Sequence, residues 1–292
     1  MNNSGSCWQV TFAPLDGERD AFENFLEDFF EVVVCNFDDD GQDVFVGYKG
    51  VAFKTKELEA AAAAAGVRLP SYRAELLESQ NWLKDYVIEY APVEVADFLI
   101  YGIHEKETPQ TDKLPLRVYA ATAFGSEHPT TKACLEAISR LNCDGCRPLR
   151  VLDMGCGSGI LSLAAAKLWG TETKIIAADI DEEAVIVTRM NAEDNGLSPL
   201  ITAVRSDGYA DDAVRNNAPY DLVLANILAR PLIAMAPELS AALKPGGFAV
   251  LSGFVADQAE WVVGAHEEAG LRLKALFEPD DTWRAALMEK TK

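Results

Sequence analysis

The residues with the clearest chemistry stand in the stretch Val151–Ile160, VLDMGCGSGI. Asp153 closes an apolar run, and Gly155, Gly157 and Gly159 follow at alternate positions. Glycines in such a turn shed their side chains, so a ligand can meet the backbone amides. The spacing is one residue short of the dinucleotide fingerprint G-x-G-x-x-G, and the Gly-Lys-Ser/Thr ending of a phosphate-cradling loop is missing. A second acid, Asp179, ends the next apolar run 24 residues after Gly155. A carboxylate there can accept from both hydroxyls of a ribose, so an adenosine-bearing ligand is expected. Loop amides and a helix N-terminus favour a carboxylate, while Asp153 favours an ammonium, directly or through water. A zwitterionic amino-acid tail suits that pair, whereas a pyrophosphate sits badly beside the acid. The pattern therefore points to S-adenosylmethionine as cofactor. An NAD-dependent oxidoreductase is the competing class, and a bare strand-to-helix turn is the reading without a ligand.

These residues need a frame that brings strand ends together. From Thr130 onward apolar strands alternate with helical runs of ten to fifteen residues, the pattern of a parallel sheet covered on both faces. The helical runs are TTKACLEAISRL, GILSLAAAKLWG, DEEAVIVTRMNAEDNG, PLIAMAPELSAAL (with Pro237 a kink) and ADQAEWVVGAHEEAG. The strands are LRVLDM, TKIIAADI, LITAVRSD, YDLVLANIL and GGFAVLSG. LRLKALFEPDDTWRAALME reads as a closing antiparallel hairpin turning at Asp280–Asp281. Ligands of such doubly wound, Rossmann-like sheets lie at the carboxyl ends of the strands, where the glycine loop falls.

The first 80 residues follow a different order, β-α-β-β-α-β, that of a ferredoxin-like α+β unit. Phe22, Phe25, Leu26, Phe29 and Phe30 recur at helical spacing, and Gly66 stops the alanine-rich helix 55–66. The reading is a ferredoxin-like recognition domain at 1–80, a linker with some strands at 81–120 that carries Trp82 as an anchor, and a catalytic domain at 121–292.

Bulk composition narrows the partners. The formal charge is −20. That disfavours direct nucleic-acid binding, which rests on Lys and Arg, and suits encounter with a basic protein. No apolar run is long enough to cross a membrane and the N-terminus has no secretory pattern, so a cytoplasmic protein is expected. The six cysteines then read as thiols. Cys143 and Cys146 in CDGC have half of a zinc knuckle without a second pair, so no metal is expected. Cys156 suits the glycine loop by its size.

VLDMGCGSGILSLAAAK, AADIDEEAV and LVLANILARPL resemble the class I methyltransferases. More closely they resemble the PrmA family, which methylates the large-subunit ribosomal protein L-eleven. AFGSEHPTT at 123–131 echoes that family's FGTGTHPTT, one residue shorter before His128. The resemblance covers roughly 120–292, and the N-terminal half agrees in layout. It implies transfer of methyl groups from S-adenosylmethionine to lysine side-chain and N-terminal amines of a basic ribosomal protein. It implies that NILA stands where amine-directed enzymes place Asn-Pro-Pro-Tyr, making Asn226 both the catalytic residue that accepts a hydrogen bond from the amine and a neighbour of the cofactor. Thr130 and Thr131 are implied cofactor contacts, with helix capping as their ordinary role. Asp207 is implied to meet the adenine amine. His128 reads as structural. Another acceptor, protein or small molecule, or a non-catalytic cofactor-binding protein, is the alternative.

Overall fold

The computed structural model describes residues 7–13, 19–30, 32–37, 43–50, 53–77, 91–119 and 128–291. Trp82, the acidic turn 38–42 and the FGSE part of the 123–131 segment lie outside these residues. The chain divides into two compact units between Asp85 and Tyr86.

The first unit runs β1 (Cys7–Phe12), α1 (Arg19–Phe29), β2 (Val32–Phe37), β3 (Asp43–Gly50), α2 (Thr55–Ala65) and β4 (Tyr72–Leu77). Its four strands pair antiparallel in the order β2-β3-β1-β4, the ferredoxin-like arrangement read from the sequence. The apolar stripe of α1 buries Phe22, Phe25 and Leu26 against Val10, Phe12 and Phe45. Phe12 and Phe22 meet edge to face at 5.3 Å, the favourable geometry for two aromatic quadrupoles. Gly66 ends α2 in the left-handed region, its amide reaching the carbonyls of Ala62 and Ala63.

The second unit opens with β5 (Val93–Val95), β6 (Phe98–Gly102) and β7 (Leu114–Val118). These three form their own sheet, β6 and β7 parallel. The strands expected within the 81–120 linker are present at 93–95, 98–102 and 114–118. Phe98, Ile100, Leu116 and Val118 join one apolar core with Leu135 and Ile138. Those two come from α3 (Pro129–Cys143).

Seven strands make the large sheet: β8 (Arg150–Met154), β9 (Lys174–Asp179), β10 (Ile201–Arg205), β11 (Tyr220–Asn226), β12 (Leu243–Val255), β13 (Leu271–Phe277) and β14 (Trp283–Lys290). Their order is β10-β9-β8-β11-β12-β14-β13. The first five are parallel, and the β13–β14 hairpin adds the two antiparallel edge strands. The helices are α4 (Ile160–Trp169), α5 (Glu182–Asp194), α6 (Asp212–Asn216), α7 (Ala229–Ala234), α8 (Ala236–Ala242) and α9 (Ala259–Glu268). Central strands are buried on both faces, as their unbroken apolar runs require: β11 is buried from Tyr220 to Ala225.

One local reading changes. The run expected as one kinked helix breaks at Met235 into α7 and α8, with Pro237 in the first turn of α8, where a missing N–H costs nothing. The polar segment after β10 holds α6, capped by Asp211 Oδ1 accepting from Ala213 N at 2.7 Å. Among the described residues no helix is long and apolar enough to cross a membrane.

Candidate active site at the switch point of the sheet

The strand order reverses between β8 and β11, where helices leave for opposite faces and a crevice must open. The glycine loop leaves β8 on one side of that crevice, and Asn226 ends β11 on the other.

The loop is anchored from below. The amides of Gly155 and Cys156 donate to the Ala178 carbonyl at 2.7 and 3.1 Å. Gly157 N donates to Asp179 Oδ2 at 2.9 Å, and Asp181 N to Asp179 Oδ1 at 3.0 Å. Asp179 thus sits at the tip of β9 with one amide on each oxygen, and each oxygen keeps a second acceptor direction for a ribose hydroxyl. Gly157 has φ +54° and no atom within 4 Å of where a side chain would project, so that face of the loop is open. Gly155 and Gly159 differ, because a Cβ on either would run into Ile227 or Thr188. One glycine gives access and the other two give packing.

Asp153, expected to favour the ammonium directly or through water, lies buried at the end of β8. Its carboxyl is 1% exposed. Its Oδ2 accepts from Ser162 N at 3.0 Å and Ser162 Oγ at 2.6 Å, fastening the first turn of α4 to β8. Burial pushes its pKa up to about 6 against the opposing pull of the Ser162 bonds, so at neutral pH it remains largely ionised beneath the loop. Cys156 is buried beside it, accepting from Thr188 Oγ1 at 3.3 Å, and burial raises its thiol far above the ordinary range. It is filler of the right size, not a nucleophile.

Across the crevice, Asn226 Nδ2 donates to Thr131 Oγ1 at 3.5 Å, while Oδ1 has no partner among the described residues. Helix α7 has Leu228 at its N-cap with no side-chain cap bond, so Asn226 does not spend its oxygen on capping. Asn226, Ile227, Leu228, Thr130 and Gly253 line a small cavity. Thr130 and Thr131 are each 1% exposed in the first turn of α3. Neither is the cap: His128 is, its Nδ1 within 2.8 Å of Thr130 Oγ1 and accepting from Thr130 N at 3.3 Å. The His128 ring also meets Trp283 edge on at 4.8 Å. Burial lowers its pKa, opposed by Asp280. Asp207 is exposed two residues beyond β10, and its side chain makes no hydrogen bond among the described residues.

The structure thus groups the glycine loop with Asp179, and Asn226 with Thr130 and Thr131. Asp153 lies beneath the loop, bonded to Ser162, and Asp207 stands just beyond the end of the neighbouring strand. Three positions were not singled out from the sequence. Asn191, fully buried on α5, donates to Ser158 O at 2.8 Å and Tyr119 O at 3.2 Å, and accepts from Tyr119 N at 2.8 Å. Asn195, one turn on, pairs with both backbone groups of Arg117. These side chains take the place of a neighbouring strand for the end of β7. The i, i+4 repeat of asparagines in NAEDN was the available signal. Gly253, inside β12, was signalled by a glycine in the middle of a strand.

The model of the family described as "Ribosomal protein L11 methyltransferase (PrmA)" matches residues 26–291. The chain belongs to that family. A ribosomal protein L11 methyltransferase of Rhizobium meliloti (strain 1021) is 38% identical over 200 residues, 68% of this chain and 67% of the relative. The Brucella abortus (strain S19) protein of the same name is 33% identical over 248 residues, 85% of each chain. The crystal structure of a ribosomal protein L11 methylase from Lactobacillus delbrueckii subsp. bulgaricus superposes with a TM-score of 0.61 at 28% identity, covering 70% of this chain and all of that one. The class I methyltransferase fold expected from the sequence is the fold observed, and the chain is a member of a protein methyltransferase family.

Proposed function

We propose that this protein transfers methyl groups from S-adenosylmethionine to lysine side-chain and N-terminal amines of ribosomal protein L11. The observation that carries the reading is Asn226: an asparagine oxygen with no partner among the described residues, in a small cavity, one strand away from the Asp179 carboxylate and an open glycine. Family membership supports the acceptor.

The residues present fit the cofactor. Asp179 would hold the ribose, the open face of Gly157 would admit the amino-acid tail, and Asp207 would meet the adenine edge. When bound, this cofactor supplies an already activated methyl group on a cationic sulfur. The chain's task is then placement. A lysine amine has a pKa near about 10.4, so about one in a few thousand is neutral at pH 7. A poorly solvated slot beside a positive charge favours the neutral form. In this reading Asn226 Oδ1 accepts one N–H of that amine, and the Ile227 carbonyl would accept another. Two held hydrogens leave the lone pair a single direction. Thr131 holds the Asn226 amide from behind. No side chain need act as a strong base, and His128 is committed to capping α3.

We further assign substrate recognition to the ferredoxin-like unit and the cytoplasm as the site of action, where a ribosomal protein would be met. The acidic chain suits a basic partner and disfavours nucleic acid. Calorimetry tests the ligand class: S-adenosylhomocysteine should bind and NADH should not, and the reverse would overturn the reading. Labelled cofactor incubated with total ribosomal protein tests the acceptor. Label in L11 is expected, and label only in other proteins would remove L11 as the substrate.

A further inference from the structure

Ile227 lies between two glycines that come from different strands. On one side is Gly155, at φ +72° in the loop after β8; a Cβ there would overlap Ile227 Cγ2, with the Ile227 Cβ next at 3.7 Å. On the other is Gly253, at φ +92° in β12; a Cβ there would overlap the Ile227 carbonyl oxygen and stand 2.6 Å from its carbonyl carbon and 2.9 Å from its nitrogen. The β12–β14 pairing slips between Ser252 and Phe254, which is where Gly253 bends the strand toward Ile227. Ile227 N completes the contact by donating to Ser252 O at 3.1 Å.

We propose that Ile227 is a positioning residue that sets the separation between the cofactor loop and the amine slot, with Gly155 and Gly253 as its two bearing surfaces. The side chain presses on the loop that would hold the cofactor. The main chain of the same residue is held against β12, and Ile227 lines the cavity beside Asn226. The two halves of the site are thereby fixed through one residue. In-line transfer needs reacting atoms about 3–3.5 Å apart, and a displacement of about 1 Å costs about a hundredfold in rate. Gly253 also forms a wall of the cavity, so a methyl group there would both push Ile227 and narrow the slot. The inference rests on the methyl-transfer reading of the site.

The two clashes differ in kind, and that makes the test selective. Gly155→Ala collides with a side-chain methyl that Ile227→Ala removes. Gly253→Ala collides with main chain that no substitution of Ile227 removes. Gly155→Ala should weaken S-adenosylhomocysteine binding at least tenfold by calorimetry, and Gly155→Ala with Ile227→Ala should recover at least threefold of that loss. Gly253→Ala should keep S-adenosylhomocysteine affinity within about threefold while kcat for methyl transfer falls about a hundredfold, and adding Ile227→Ala should not restore it. Melting temperatures of all variants separate these effects from unfolding. Failure of the double variant to recover affinity, or a Gly253→Ala enzyme with unchanged kcat, would overturn the proposal. The calorimetric arm involves no acceptor. Should the wild-type protein methylate no ribosomal protein, the acceptor reading falls, while the affinity lost and regained across the Gly155–Ile227 pair still decides whether Ile227 is the spacer.

Discussion

The roles proposed for Asn226 and Asp179, placing the amine and holding the cofactor, predict that their variants fail differently. Asn226→Ala removes the oxygen proposed to direct the amine. Single-turnover transfer should fall about a hundredfold or more, with S-adenosylhomocysteine affinity within a few-fold of wild type. Asp179→Ala removes the ribose acceptor and frees the amides of Gly157 and Asp181. Hydrogen bonds to a charged group contribute about 1.5–3 kcal/mol each, so calorimetric affinity should fall about tenfold to a hundredfold or more. Asp153 has a separate signature. Its pKa is raised from 3.8 to about 6, so the folded state binds its proton more tightly than the unfolded chain does. The stabilisation is complete below about pH 4 and is lost as pH rises to about 6, a difference of about 3 kcal/mol. Asp153→Asn cannot titrate. Wild type should lose stability relative to Asp153→Asn across that window in denaturant melts, and parallel pH profiles would show that this carboxyl carries no shifted proton. The sequence made the identity of these side chains legible but not their direction. Asp153 and Asp179 both end apolar runs, and only the pleat decides that one faces inward to Ser162 while the other reaches the loop.

Elements explain where periodicity sufficed. Strict alternation of strand and helix after Thr130 gave the parallel sheet, and the EPDD turn gave the edge hairpin. Strands of the small sheet at 93–118 were less legible, because β5 and β6 are short and their apolar residues serve a core shared with α3 instead of an alternating half-exposed face. Asn191 and Asn195 escaped notice because polar residues on a helix usually face water. Here Asn191 bonds the backbone of Tyr119 and Asn195 that of Arg117, and truncating Asn191 removes both of its bonds to Tyr119 and the one to Ser158 O. Asn191→Ala should cost about 2–3 kcal/mol in denaturant melts and weaken cofactor binding through Ser158, whereas Asn195→Ala, lacking the contact to the glycine loop, should cost stability alone. Helix α9 contributes a pH dependence of opposite sign to that of Asp153. His266 is fully buried, its Nδ1 is 2.7 Å from Val262 O, and its Nε2 has no partner among the described residues. Burial lowers its pKa, so its stabilising contribution is present above about pH 6.5 and is lost as pH falls below it. His266→Phe should flatten the acid limb of the melting profile, and an unchanged limb would assign that dependence to other groups.

At the scale of the whole molecule, two units divide the labour proposed for them, and the acidic surface acts on both. A chain of formal charge −20 attracts a basic protein over a distance that salt shortens. The apparent KM for L11 should rise about tenfold from low salt to physiological ionic strength and beyond, while kcat and S-adenosylhomocysteine affinity stay nearly constant. The most direct measurement of the central claim is mass spectrometry of purified L11 after incubation with this protein and S-adenosylmethionine, wild type beside Asn226→Ala. The account predicts whole-methyl increments on lysine or N-terminal amines of L11 with the wild-type protein and almost none with the variant. Unmodified L11 in the presence of bound cofactor, or equal methylation by both proteins, would contradict it.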